Sequence, residues 1–211
     1  FHMNEGHAAF LALELIREKM ADDMPFDIAL DTTRQECIFT THTPVPAGHD
    51  RFNPELMRYA LNRYEKHLNL SHEQLMALGR LNQDDEDETF CMTVLALNTS
   101  RAANGVSELH GSVSRSMWQN KYNVSVDQVP IGHVTNGIHL LGWMSRTARD
   151  FWQPRLKSGT GFYEEINSRE FWSKAEDPDF ISDEELWALR YRLRRELIDF
   201  TRSRLIDVPK A

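Results

Sequence analysis

The sequence is short of cysteine, of basic charge and of long apolar runs. Its 211 residues include 2 cysteines. There are 24 lysine and arginine residues and 32 acidic residues, so the formal net charge is −8. The lack of a basic stripe disfavours a nucleic-acid-binding protein, and the short apolar runs disfavour a membrane-spanning one. Cys37 and Cys91 lie in apolar stretches, which favours the reducing cytoplasm over a disulfide scaffold.

Motifs of several other protein classes are absent as well. The sequence has no GxGxxG, no P-loop and no GxSxG nucleophile elbow.

The chain opens with FHMNEGH, without an initiator methionine or a signal peptide. Because an aromatic residue and a polar cluster at the start resemble the end of a buried strand, we expect the chain to be a piece of a longer protein.

Apolar spacing and capping residues predict a helix-rich chain. Asn4 and Glu5 are cap candidates for a helix over residues 8–20. Ser71 and Gln74 fit a capping box at the start of another helix. Further helices are expected over residues 26–33, 54–68, 100–118, 144–156, 168–174 and 182–206.

Short strands are expected between these helices. Residues 36–41 are predicted to form a buried strand, and residues 129–138 a strand that ends in an Asn-Gly turn. The apolar run 90–98 fits either a buried strand or the start of a buried helix. The acidic run QDDEDE, residues 83–88, lacks the spaced pattern of a calcium loop and is predicted to be a surface loop.

Three apolar runs end in polar, loop-like groups. They are HMNEGH (residues 2–7), FTTHTPVPAGH (residues 39–49) and GHVTNGIH (residues 132–139). In α/β folds, ligand-binding groups gather at the carboxyl ends of parallel strands. We therefore expect a polar pocket lined by histidine, asparagine, glutamate and backbone carbonyls, a lining that suits the hydroxyls of a sugar.

Two alternatives compete with this interpretation. His2, His7, His42 and His49 could be metal ligands, but the spacing of His2 and His7 is not that of a standard zinc pair, and no cysteine accompanies them. The prolines after His42 could simply end a strand. His110 lies in a predicted helix and is interpreted as a packed or surface residue.

Four segments together resemble the α-glucan (glycogen, starch or maltodextrin) phosphorylases. They are HMNEGHAAF, FTTHTPVPAGHDRF, NTSRAANGVSELH and HVTNGIH followed by Trp143. The resemblance implies a GT-B fold of two Rossmann-like domains with pyridoxal 5′-phosphate between them. It also implies phosphorolysis of terminal α-1,4-glucosidic bonds by inorganic phosphate, which releases α-D-glucose 1-phosphate with retained configuration.

The resemblance also implies roles for individual residues. His42 would be the catalytic residue, with its backbone carbonyl facing the reacting sugar and its side chain reaching the 6-hydroxyl. Asn136 would bind the same hydroxyl, and Trp143 would lie near the cofactor. The other substrate-binding residues implied are Asn4, Glu5, His7, Asn104, Gly105 and Val106.

The rigidity of the segment after His42 fits such a role. A retaining transfer passes through an oxocarbenium-like state, which a preorganised carbonyl dipole stabilises. Pro44 and Pro46 have fixed φ angles and restrict the backbone that follows His42.

The family resemblance also divides the chain. Residues 1–143 would be the later part of the N-terminal domain, and residues 144–211 a helical segment leading to the C-terminal domain. The cofactor lysine would lie outside the chain, so the piece alone is expected to be inactive. Glucan and phosphate are the implied partners, and a homodimer is allowed. The alternatives are a glycogen- or starch-synthase-like transferase that uses a nucleotide sugar, and a non-catalytic glucan-binding fragment.

Overall fold

The computed structural model describes residues 1–156 and 161–206. The strands in this part of the chain are β1 (His2–Asn4), β2 (Ile38–Thr40), β3 (Arg51–Phe52), β4 (Phe90–Cys91), β5 (Ala102–Gly105) and β6 (Ile131–His133). The helices are α1 (Phe10–Ala21), α2 (Phe26–Glu36), α3 (Pro54–His67), α4 (His72–Ala77), α5 (Met92–Asn98), α6 (Glu108–Tyr122), α7 (Leu140–Trp143), α8 (Arg146–Trp152), α9 (Phe162–Ile166), α10 (Arg169–Ala175) and α11 (Asp183–Ile206).

Four strands form a parallel sheet in the order β1–β2–β5–β6. The register places Asn4 opposite Thr40, and Asn104 opposite both Thr40 and Gly132. Helices connect each strand to the next, as parallel neighbours require. The arrangement confirms the predicted α/β class, rich in helix and with short parallel strands. The remaining strands, β3 and β4, form a separate antiparallel pair.

The chain divides into two compact units, Phe1–Asn136 and Gly137–Ala211. The first unit buries side chains of the sheet, such as Met3 and Phe39, together with apolar residues of α1 and α5. The second unit has its own core, in which Trp152 makes edge-to-face contacts with Phe171 and Trp172. Each unit therefore has an apolar core of its own, as expected for a folding unit.

Local signals explain most of the helix boundaries. The capping box is present: the Ser71 hydroxyl accepts from the Gln74 N–H, and the Gln74 side chain accepts from the Ser71 N–H. Glu5 caps a 3₁₀ turn, Gly6–Ala8, so that α1 starts later than predicted, at Phe10. The run 90–98 is divided between β4 and α5, so both interpretations of it were partly correct.

Two predictions are wrong. Residues 100–118 do not form one helix, because Ala102–Gly105 is a strand and α6 begins at Glu108. This strand is hydrogen-bonded to β2 on one side and β6 on the other, and pairing on both sides overrides local helix propensity. The Asn-Gly turn is absent as well, since Asn136 continues beside Val106 and donates its N–H to the Val106 carbonyl.

The acidic run folds at the surface, as predicted. Residues 83–87 are exposed, and Arg80, 1% exposed, lies beneath the loop. Its guanidinium donates to the carbonyls of Glu86 and Glu88 and to the Glu73 carboxylate. Among residues 1–156 and 161–206, no three potential metal ligands are clustered. No helix in the described ranges combines the length and apolarity needed to cross a bilayer.

Candidate functional site

The carboxyl ends of the four parallel strands meet at one edge of the sheet. Asn4 ends β1, Gly105 ends β5 and His133 ends β6, and the β2 strand leads through Thr41 into His42. The strand ends that lead into the three polar segments therefore lie at the same edge of the sheet, as the sequence predicts. This is the position where α/β folds bind ligands.

His42 is fixed at this edge by contacts with the end of β1. Its Nε2 lies 2.6 Å from Oδ1 of Asn4, and its backbone N–H donates to Oε2 of Glu5 at 2.6 Å. The residue is exposed, and no described residue donates a hydrogen bond to its carbonyl oxygen. The contacts therefore restrain both the ring and the backbone of His42 while its carbonyl has no hydrogen-bond donor among the described residues.

Glu5 connects the β1 and β2 loops through its carboxylate. Oε1 accepts from the Gly6 N–H at 2.9 Å, and Oε2 accepts from the His42 N–H and from the Thr43 hydroxyl, the latter at 3.0 Å. Burial alone would raise the pKa of Glu5, but these three hydrogen bonds outweigh it and lower the pKa below its ordinary value. The carboxylate is therefore the form that the site favours.

The backbone of Glu5 is strained. Its φ is 75° and its ψ is 163°, a region that residues with a side chain rarely adopt. Such strain persists only where surrounding contacts hold it, and it concentrates at functional sites. Here the three hydrogen bonds of the carboxylate hold it.

Asn104 joins the middle strands. Its Oδ1 accepts from the Thr40 hydroxyl at 3.1 Å, its Nδ2 donates to the Gly105 carbonyl at 3.0 Å, and its own carbonyl accepts from the Thr41 N–H at 3.0 Å. The Thr40 hydroxyl also lies 2.8 Å from Nε2 of His2. Both ends of the Asn104 side-chain amide are therefore engaged within the sheet.

Backbone hydrogen bonds to Gly105 and Val106 position the segment that contains Asn136. The Gly105 carbonyl accepts from the Val134 N–H at 3.0 Å, and the Val106 carbonyl accepts from the Asn136 N–H at 3.1 Å. The side chains of Asn136 and His7 are exposed and make no hydrogen bond within the described part of the chain. Both side chains can therefore bond to a ligand, as can Nδ1 of the exposed His42, which has no partner among the described residues.

His49 supports the loop from inside the first unit, a role that the sequence did not predict for this histidine. It is buried at the end of the loop that begins at His42, and its Nδ1 lies 2.8 Å from the hydroxyl of Thr93. Its ring meets Trp118 edge to face, and its Nε2 lies 3.1 Å from Sδ of Met117. Burial lowers the pKa of His49, although the nearby Glu5 carboxylate opposes this. The loop is thus held at both ends.

Trp143 belongs to the second unit. It ends α7, and its side chain is 85% exposed. Leu140 and Leu141, in the same helix, pack against the apolar core of that unit. The indole therefore stays accessible to a planar ligand.

Comparison with known proteins decides the family. The model of the carbohydrate phosphorylase family matches residues 1–205. The chain belongs to the carbohydrate phosphorylase family. The resemblance seen in the four sequence segments is thereby confirmed, and the match extends through the helices of the second unit.

Two relatives among those that match illustrate the relationship. The chain is 39% identical over 215 residues to a glycogen phosphorylase of Mycobacterium tuberculosis, and 34% identical over 205 residues to a maltodextrin phosphorylase of Thermococcus litoralis. Each match covers 97% of this chain and 23% of the relative. This member of the phosphorylase family thus spans about a quarter of the length of the curated relatives it matches.

Proposed function

We propose that this chain forms part of an α-glucan phosphorylase. The enzyme would cleave terminal α-1,4-glucosidic bonds of glycogen or maltodextrin with inorganic phosphate and release α-D-glucose 1-phosphate with retained configuration. The relatives named glycogen and maltodextrin phosphorylase support the substrate class. The observation that carries the proposal is the restrained and exposed His42 at the carboxyl edge of the sheet, whose carbonyl accepts no hydrogen bond from the described residues.

In this proposal the backbone carbonyl of His42 acts on the reacting sugar. Charge develops on the sugar in an oxocarbenium-like state, and a fixed dipole stabilises it without reorganisation. The Glu5 carboxylate holds the N–H of the same residue. That restraint on one side of His42, with Pro44 after it, supports a carbonyl held in one direction.

The His42 side chain is proposed to bind the 6-hydroxyl together with Asn136. Because Oδ1 of Asn4 can only accept, Nε2 of His42 carries the proton in their contact. In the neutral imidazole, Nδ1 is then an acceptor for a sugar hydroxyl. The exposed amide of Asn136 can donate to the same oxygen.

The other residues at the edge are proposed to complete the glucosyl subsite. Asn4 and Glu5 would act through His42, which they contact, and the exposed His7 would face the sugar. Asn104 would support the backbone of Gly105 and Val106, which would approach the sugar closely. Residues 1–143 would form the later part of the N-terminal domain and residues 144–211 the helices that follow it.

Pyridoxal 5′-phosphate is the cofactor proposed for the whole enzyme. The 85% exposed indole of Trp143 can pack against a planar ring, so this residue fits a place beside the cofactor. When bound, the cofactor supplies a phosphate group that assists acid–base chemistry at the inorganic phosphate. We also propose a cytoplasmic location, and a homodimer stays a prediction.

Phosphorolysis tests the proposal directly. The full-length protein that carries this chain is incubated with maltodextrin and pyridoxal phosphate, with and without inorganic phosphate. We expect α-D-glucose 1-phosphate to form when phosphate is present, with the anomer identified by NMR. Glucosyl transfer from a nucleotide sugar alone would instead support the synthase-like alternative, and glucan binding without cleavage would support the non-catalytic one.

A further inference from the structure

His110 lies behind the sheet edge in the first turn of α6. It is buried, with 9% of its surface exposed, and its backbone N–H donates to the hydroxyl of the N-cap residue Ser107 at 3.1 Å. Its Nδ1 accepts from the Val106 N–H at 3.2 Å. The imidazole is therefore bonded to the backbone that immediately precedes the helix.

Val106 links His110 to Asn136 through its two backbone hydrogen bonds. While its N–H is held by the His110 ring, its carbonyl accepts from the Asn136 N–H at 3.1 Å. Both peptide groups of Val106 are thus fixed, one by the imidazole and one by Asn136. These are two of the residues proposed to approach the glucosyl unit, and the buried His110 contacts Val106 directly and is linked to Asn136 through Val106.

The contact fixes the tautomer of His110. Since the Val106 N–H is a donor, Nδ1 must be unprotonated, and the neutral ring carries its proton on Nε2. Nε2 is buried and has no hydrogen-bond partner among the described residues. Among the described residues, the bond to Val106 is therefore the only hydrogen bond that the ring makes.

Close packing leaves the ring and the backbone little freedom. A Cβ added to Gly105 would lie 2.8 Å from Nδ1 of His110 and 2.9 Å from the backbone nitrogen of Gly111. A Cβ added to Gly111 would lie 3.0 Å from the Cβ of His133 on β6. Glycine at both positions lets α6 approach the strand ends so closely that the imidazole can reach Val106.

We propose that His110 is a positioning residue for the glucosyl subsite: its imidazole holds Val106 and, through the Val106 carbonyl, sets the place of Asn136. This role rests on the proposed phosphorylase function. It predicts that loss of the Nδ1 acceptor misplaces groups that contact the reacting sugar. A misplacement of this kind lowers kcat more than it raises the KM for glucan, whose other units bind elsewhere.

Three variants of the full-length enzyme separate positioning from packing. His110→Phe keeps a ring of similar shape without an acceptor. His110→Asn loses most of the ring, but its Oδ1 is carried on Cγ, as Nδ1 is, and can accept from the Val106 N–H. Ser114→Ala is the control, because Ser114 lies one turn further along α6, is buried, and has a hydroxyl without a described partner.

We expect kcat to fall about 10- to 100-fold in His110→Phe, with a change of less than about threefold in the KM for maltodextrin. His110→Asn should recover most of the loss, and Ser114→Ala should match the unmodified enzyme. Hydrogen exchange of the Asn136 backbone N–H should be faster in His110→Phe, because the Val106 carbonyl that accepts from it is no longer fixed.

The outcomes distinguish this role from the function on which it rests. Unchanged kinetics in His110→Phe, or equal losses in His110→Phe and His110→Asn at equal stability, would overturn the positioning role and leave the phosphorylase function standing. An unmodified enzyme that releases no glucose 1-phosphate would overturn the function, and the role with it.

Discussion

The Nε2 atom of His42 lies 2.6 Å from Oδ1 of Asn4, across two neighbouring parallel strands. The two residues are 38 positions apart in the sequence, and the pairing of β1 with β2 brings them together. The contact selects the Nε2-protonated ring and directs Nδ1 away from Asn4. The sheet itself therefore sets the orientation of the proposed catalytic histidine.

Glu5→Gln should lower turnover of the full-length enzyme. The substitution removes the charge that the His42 N–H and the Thr43 hydroxyl contact. Hydrogen bonds to charged groups contribute about 1.5–3 kcal/mol, so we expect a loss of that order in transition-state stabilisation, measured as kcat/KM for maltodextrin.

Glu55→Gln is the control for this change, because it removes an equal charge from the exposed first turn of α3. It should leave kcat/KM unaltered. If both variants behave like the unmodified enzyme, the Glu5 carboxylate does not hold His42 in a way that matters for the reaction.

Gly105→Ala should damage both folding and turnover. The new Cβ would lie 2.8 Å from Nδ1 of His110 and 2.9 Å from the nitrogen of Gly111, and overpacking of this kind costs about 1–3 kcal/mol. Gly132→Ala on the adjacent strand is the matched control, since its nearest new contact is 3.9 Å away. Urea unfolding and initial rates measure the difference. Equal stability of the two variants would show that the backbone beside His110 can yield.

Glu14 should make the free energy of unfolding depend measurably on pH in the acid range. Hydrogen bonds from Arg17 and from the Tyr64 hydroxyl lower the pKa of Glu14 from 4.5 to about 2. A lowered folded-state pKa means that the stabilisation is present above pH 4.5 and is lost as pH falls towards 2. Because the Glu14 side chain is 38% exposed, we expect the contribution to be small and to weaken with salt.

Glu14→Gln checks this through urea unfolding at a series of pH values. The variant should be less stable than the unmodified protein near pH 7, and the difference in their free energies of unfolding should vanish as pH approaches 2. A gap that stays constant with pH would mean that the ionised carboxylate contributes nothing beyond its shape.

The sequence predicted the parts of this structure that local signals encode. Ser71 and Gln74 form the expected capping box, and the carboxyl ends of β1, β2 and β6 lie at one edge of the sheet. The strand Ala102–Gly105 was missed, because alanine, asparagine and glycine do not favour strands, and its neighbours are distant in the sequence.

Support from buried histidines could not be predicted in the same way. His49 contacts residues 44 and 68 positions further along the chain, and a sequence without its fold does not show such pairs. The strained φ of Glu5 is equally invisible in the sequence, since it follows from contacts with a second strand.

The proposed glucosyl subsite is tested most directly with a sugar that lacks the 6-hydroxyl. In the synthetic direction, kcat/KM is compared for α-D-glucose 1-phosphate and its 6-deoxy analogue, in the unmodified full-length enzyme and in Asn136→Ala and His42→Ala. Each lost hydrogen bond should cost about 1–3 kcal/mol. The unmodified enzyme should therefore prefer the natural substrate, and each variant, which keeps one of the two bonds to the 6-hydroxyl, should show a smaller preference together with lower turnover. A preference of the same size in all three enzymes would contradict the placement of the sugar at this sheet edge.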